Sequence, residues 1–153
     1  MPSDPKYLTV DEMLHRLGPD EADQLAGTGL RDAREIDAVL IADALRHADT
    51  LIDGYVRARY PAPFAVVPDL LKGIAHDIAR YRLRSMGGQQ SAMNDAVQKQ
   101  YDAAMALLKD IGGGRVTLDA NGDGTQPEAG THADAMRGEM PAGRACTMLE
   151  GWR

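Results

Sequence analysis

The residues of this chain that could do chemistry are four histidines, one cysteine and one short acidic turn. His15, His47, His76 and His132 stand far apart, and none has a second ligand at the spacing a zinc site needs. His76 and Asp77 are sequence neighbours, which on a helix point to different sides, so no facing acid–base pair is expected there. Cys146 has only Arg144 nearby as a base, too little to activate a thiol. Asp119-Ala120-Asn121-Gly122-Asp123-Gly124 opens like an EF-hand calcium loop, with oxygen ligands at loop positions 1, 3 and 5 and glycine at 6. The match then fails. Gly130 stands at position 12, where a bidentate Glu is required, Glu128 is out of register, and no amphipathic helix follows. The segment reads as a solvated Asn-Gly/Asp-Gly turn. Gly112-Gly113-Gly114-Arg115 lacks the Lys-Ser/Thr and the preceding strand of a phosphate loop, and reads as a helix stop. No catalytic, cofactor-binding or metal-ligating residue is assigned, and no enzyme is expected.

Charge is more informative. The formal net charge of −6 argues against a general nucleic-acid binder. Residues 1–56 hold 12 acids and 5 bases, whereas residues 57–84 hold 2 acids and 6 bases. An acidic first half beside a basic middle has two readings. Consecutive helices neutralise one another within one chain, or the acidic face of one subunit meets the basic face of the next, as a head-to-tail ring requires. Arg57, Arg59, Arg80 and Arg84 are the candidate partner or intersubunit contacts under the second reading. Arg80 and Arg84 share one helix face, and Arg82 lies away from them.

The elements that must carry these groups are helical. Aromatics make up 5% of the chain, so the core rests on Leu, Ile, Val, Ala and Met, which suits packed helices. Thr9 with Glu12 three residues on forms a capping box that opens a short helix over about Val10 to Leu17. Gly18-Pro19 breaks it, Asp20 to Leu25 adds a turn or two, and Gly27-Thr28-Gly29 is a loop. The first long helix is expected from about Ala33 to Arg59. Ile41, Leu45, Ala48, Ile52 and Tyr55 share its inner face, and Val39, Leu40 and Leu51 widen the stripe. Gly54 costs this helix about 1 kcal/mol relative to Ala, which a close approach by a neighbouring backbone would explain. Pro61 and Pro63 end it.

The second long helix starts near Pro68 and carries Leu71, Ile74, Ile78 and Tyr81 on one face. Met86-Gly87-Gly88 closes it. The third spans about Ala92 to Ile111, with Val97, Tyr101, Ala104, Leu108 and Ile111 in phase. Arg115-Val116-Thr117-Leu118 has strand propensity but is too short to stand alone. The expected fold is all-α: three long helices plus a short N-terminal helix over residues 1–118, with no sheet of three or more strands.

An extended, Gly/Pro-containing C-terminal tail is expected over residues 119–153. Its large apolar side chains are Met136, Met140, Met148, Leu149 and Trp152. Ordering it costs about 1 kcal/mol per residue in backbone entropy, while fully burying Trp152 returns about 4–6 kcal/mol. The tail therefore needs partner surfaces, with Met148, Leu149 and Trp152 as anchors. No run approaches the ~20 apolar residues of a transmembrane helix, so no membrane partner is expected. The N-terminus lacks the basic and apolar regions of a signal peptide, and one cysteine permits no intramolecular disulfide. Synthesis in the cytoplasm is the expected default.

Several motifs in order resemble one family. They are Tyr7-Leu8-Thr9-Val10-Asp11-Glu12; Ile52-Asp53-Gly54-Tyr55 with Arg59-Tyr60 and Pro63; Asp77-Ile78-Ala79-Arg80-Tyr81-Arg82-Leu83; Tyr101-Asp102-Ala103-Ala104 through Leu107, Leu108 and Ile111; and Val116-Thr117-Leu118 after the glycine stop. Over residues 7–118 the chain resembles the small neck proteins of Mu-like phages, the head–tail connector or adaptor group. The resemblance implies an all-α connector in a homo-oligomeric ring, a dodecamer. That ring would lie between the portal protein and a tail-side neck or tail-terminator protein, at the virion's head–tail junction. Genomic DNA would pass through its bore without sequence-specific binding. The overall charge adds an expectation that the bore is acidic or neutral, so that DNA slides. The resemblance supplies no catalytic residue and no cofactor, and it does not extend to the tail. The alternative is a small DNA-binding regulator of helix-turn-helix type over Val10 to Leu25. Its recognition segment would be Pro19-Asp20-Glu21-Ala22-Asp23, whose acids repel phosphate.

Overall fold

A computed structural model describes residues 4–29, 34–60, 64, 66–86 and 94–119. Two short helices, α1 (Val10–Leu17) and α2 (Pro19–Ala26), precede three long ones, α3 (Ala38–Val56), α4 (Asp69–Met86) and α5 (Asp95–Gly112). The only sheet among the described residues is a two-stranded antiparallel ribbon of β1 (Gly27–Thr28) and β2 (Glu35–Ile36). The fold is mainly α, as expected.

Local chemistry sets the helix boundaries. Thr9 accepts from the Glu12 backbone N–H at 3.2 Å while Glu12 accepts from the Thr9 N–H, closing the capping box that starts α1. Gly18, at φ 76°, ends α1 and allows Pro19 to open α2 at once. The segment expected to add a turn or two is thus a full two-turn helix. The largest departure is the start of α3, at Ala38 rather than Ala33. The Asp37 carboxylate accepts from the Val39 and Leu40 N–H groups at 2.9 and 3.1 Å, a strong N-cap. Upstream, Gly27 pairs with Ile36 and Thr28 with Glu35, and the Asp37 N–H donates to the Ala26 carbonyl at 2.8 Å. The backbone groups assigned to a helical turn, and those assigned to a loop at Gly27–Thr28, satisfy each other across the ribbon instead. At its other end α3 stops at Val56, and a tight turn follows in which the Arg59 and Tyr60 N–H groups donate to the Val56 carbonyl. Asn94 caps α5 through its side chain, at 2.8 Å from the Val97 N–H.

α4 packs against both α3 and α5, and α3 also touches α5, so the three long helices close a small bundle. Ile41, Leu45, Ala48 and Ile52 of α3, Leu71, Ile74 and Ile78 of α4, and Ala104, Leu108 and Ile111 of α5 form its centre. α1 and α2 cap one flank, α1 resting on α3 and α2 on both α3 and α4, and contribute Met13, Leu17, Ala22 and Leu25. Val39 does not widen the α3 stripe and is 68% exposed. It lies two residues before Ile41, about 200° round the helix. Gly54 also departs from expectation: among the described residues nothing beyond its chain neighbours and its own helix backbone comes within 4 Å of where its Cβ would stand.

Candidate functional site

The densest polar constellation ties the N-terminal segment to α3. Asp49 and Asp53 lie one turn apart and so face the same way. Asp49 is 5% exposed and accepts from the Lys6 N–H at 2.7 Å and the Tyr7 N–H at 3.3 Å. Asp53 accepts from the Lys6 ammonium at 2.7 Å, the Tyr7 hydroxyl at 2.5 Å and the Arg57 guanidinium at 2.9 Å. Burial pushes the Asp49 carboxyl up, and the two N–H donors offset this only in part. Burial acts on Asp53 in the same sense, but the hydrogen bonds from Lys6 and Tyr7 and the nearby cations outweigh it and hold that carboxyl below its usual range. The Tyr7 hydroxyl is raised by burial and by its bond to Asp53. Each acid is held by donors from the N-terminal segment, so the cluster acts as a clamp between that segment and α3. It places the Tyr7 ring 6.1 Å from that of Phe64 and buries Leu8.

The candidate contact arginines divide. Arg80 grips Glu21 of α2 with two bonds, at 2.8 and 2.9 Å, and also donates to Gln100 of α5 at 2.9 Å. Arg84 reaches the same Glu21 carboxylate. Burial pushes Glu21 up, but the two guanidinium groups outweigh this and lower it. These two arginines therefore follow the within-chain reading of the charge pattern, joining the basic α4 to the acidic α2. Arg57 pairs with Asp53 yet remains 60% exposed. Arg59 is half-buried and its Nε is enclosed without a hydrogen-bond partner. Its guanidinium lies where a Cβ on Gly114 would stand, and Gly114 is held at φ 78°. Met148, Leu149 and Trp152 lie outside the described residues, as do His132, Cys146 and the acidic turn beyond Asp119.

His76 corrects a sequence expectation. Its Nδ1 lies 3.0 Å from the Asp77 carboxylate although the two are adjacent, because both side chains can bend toward the gap between them. Its Nε2 is enclosed and unpartnered. Among the described residues no three His, Cys, Asp or Glu side chains are grouped to hold a metal ion. The helix-turn-helix reading fares poorly on α2. That helix has no Lys or Arg, buries Ala22, Leu25 and Ala26, and commits Glu21 to Arg80 and Arg84.

Sequence reasoning missed the roles of Lys6, Glu21, Asp49 and Tyr60. Asp49 carried a legible signal, since it lies four residues after Leu45 and three before Ile52, an acid inside an apolar stripe. Tyr60 carried none. Its ring is 3% exposed, and its hydroxyl accepts from the Leu118 N–H at 2.9 Å across 58 residues of sequence.

The described residues form a mainly α-helical body whose polar clusters clamp its own elements together. The family described as Bacteriophage Mu, Gp36 matches residues 7–136, most of the chain. The chain is 26% identical over 117 residues to the Mu-like prophage FluMu protein gp36 of Haemophilus influenzae, covering 76% of this chain and 78% of that protein. It is 39% identical over 66 residues to gene product J of Escherichia phage Mu, covering 43% of this chain and 46% of that one. The chain belongs to the Bacteriophage Mu Gp36 family and is a Mu-like phage protein.

Proposed function

We propose that this chain is a head–tail connector, or adaptor, a structural virion protein that forms a ring between portal and tail and lets DNA pass. The observation that carries the reading is the family match over residues 7–136, which spans the whole helical body. The role is non-catalytic and needs no cofactor, and the buried Asp49 is taken up by an internal contact to the N-terminal segment. The ring is a dodecamer made in the bacterial host cytoplasm and carried in the virion neck. Its neighbours are the portal protein on one side and a tail-side neck or tail-terminator protein on the other. Arg57, which stays 60% exposed while paired with Asp53, and the half-buried Arg59 are the remaining basic contacts for a partner, because Arg80 and Arg84 are more deeply engaged with Glu21. Met148, Leu149 and Trp152 anchor the tail on a neighbouring subunit or the portal once the assembly forms. The bore is acidic or neutral.

Native mass measurement and electron microscopy of the purified chain, with immunolabelling of particles, test the proposal. A ring, or label confined to the neck of virions, supports it. A dimer that retains DNA, or a protein absent from purified particles, overturns it.

A further inference from the structure

We propose that copies of this chain join head to tail, the exposed Ile36 and Val39 of one copy seating in a groove beside Val66 and Leu70 of the next. Among the described residues the exposed large apolar side chains are Ile36, Val39, Val66, Leu70 and Met86. They divide between the two ends of the bundle. Ile36 lies in β2 and Val39 in the first turn of α3. α4 runs back toward that end: its Arg80 bonds Gln100 and its Tyr81 stacks on Tyr101, both in the first half of α5, and Met86 lies further on. The opposite end is where α3 and α5 stop together, since a Cβ on Gly112 would stand 3.0 Å from the Tyr55 carbonyl oxygen. Just beyond, the Tyr60 hydroxyl holds Leu118. A groove of about 330 Å³ opens there, with Val66 and Leu70 facing Thr117 and Leu118. The 19 residues of α3 hold the two patches roughly 28 Å apart, so they cannot meet within one chain.

A second copy is the occupant because it supplies both halves of the contact. Val39, 68% exposed, stands out from the surface, whereas Val66 and Leu70 line a concavity. Pairing either patch with its own kind would leave the other bare. Pairing them with each other gives a heterologous contact, which closes into a ring where the rotation between copies allows it. Charge runs in the same direction. Glu35 is exposed beside Ile36, and among the described residues its carboxylate takes no hydrogen bond or ion pair. At the groove end the Arg59 guanidinium has no such partner either, and its Nε is enclosed. An unpaired acid at the protrusion and an unpaired cation at the concavity complement one another. Of the acids in the lining, Asp69 sits in the first turn of α4, where the helix dipole favours it, and Asp119 already has a partner. The contact rests on the connector reading in that it is the join a ring of these chains would use. Two aliphatic side chains on each side make a weak contact, so copies stay apart when dilute and join when concentrated.

Disulfide trapping in the full-length chain tests it. Val39→Cys and Leu70→Cys are placed singly and together in a chain whose one native thiol is removed by Cys146→Ser. Both positions are exposed, so the helical circular dichroism of the wild type is kept. A disulfide needs Cα atoms within about 7 Å, which the two positions of one chain do not offer. Oxidation of the concentrated double variant is expected to give a ladder of dimers, trimers and higher species on a non-reducing gel. Each single variant stays monomeric, and a mixture of the two singles stops at dimers. The proposal is overturned if the double variant gives no ladder. It is also overturned if either single variant dimerises by itself, because that patch then meets its own kind. Failure here is separable from failure of the connector reading. A chain found in the virion neck that never forms this crosslink removes the contact alone, and a ladder from a chain absent from particles removes the connector alone.

Discussion

At the scale of single residues, three glycines and one tyrosine give opposed expectations. Gly54 and Gly73 lie inside helices, and among the described residues nothing beyond their chain neighbours and own helix backbone comes within 4 Å of where a Cβ on either would stand. Replacing either by Ala removes unfolded-chain entropy at no steric cost and raises stability by about 0.5–1 kcal/mol. Gly114 is the contrary case. Its positive φ costs an L-residue about 1 kcal/mol or more, and the new Cβ displaces the Arg59 guanidinium. Gly114→Ala should lower the midpoint of thermal or urea unfolding while the two helix variants raise it. Tyr60→Phe keeps the ring packing but leaves the buried Leu118 N–H without its acceptor, a loss of about 1–3 kcal/mol in the same measurement.

At the scale of elements, ion pairs fix how α2 and the N-terminal segment lie on the bundle. Glu21→Gln weakens the bonds to Arg80 and Arg84 and should cost about 1–3 kcal/mol near neutral pH. Its carboxyl is lowered in the folded chain, so its contribution is present above the unfolded value, about 4.3 for Glu, and is lost as pH falls through the folded one. Asp53 behaves likewise from the unfolded Asp value of about 3.9. Asp49 has the opposite sign: burial raises its folded value, so protonation relieves a penalty as pH falls. Urea unfolding across the acid range should therefore show a shallower acid loss for Glu21→Gln and a steeper one for Asp49→Asn. Removing residues 1–8 strips Leu8 from the core and leaves Asp49 without its two N–H donors. A fall of several degrees in Tm is the expected outcome, with helical content largely kept.

At the scale of the whole molecule, the helical body closes its own core, whereas the connector reading requires the tail to engage others. A chain ending at Leu118 should remain helical by circular dichroism, because the described core contains no residue beyond Leu118. It should assemble poorly into connectors. Complementation of a phage lacking the gene is the check, and infectious particles at wild-type yield would remove the anchoring role of the tail. Single-chain mass in dilute solution tests the same division, since the pairs Glu21–Arg80 and Glu21–Arg84 are satisfied without a neighbour.

Local spacing along the chain was enough to establish the helical class, the apolar face of each long helix, the capping box at Thr9 and the ordered motifs of the family. Residues three and four apart share a helix face whatever the rest of the chain does. The apolar stripes of α3, α4 and α5 were legible for that reason, as was the acidic-to-basic charge shift. Which partner each charge takes was settled by docking of the elements alone. Arg80 and Arg84 face Glu21 only because α2 folds across α4, about 60 residues away in sequence. Docking also took Glu35–Ile36 out of the helix and into a ribbon, since the backbone groups of Gly27 and Thr28 compete for them. The bond from Leu118 to Tyr60 has the same origin. Long-range hydrogen bonds and ion pairs depend on how elements dock, and no periodicity within one element records that geometry.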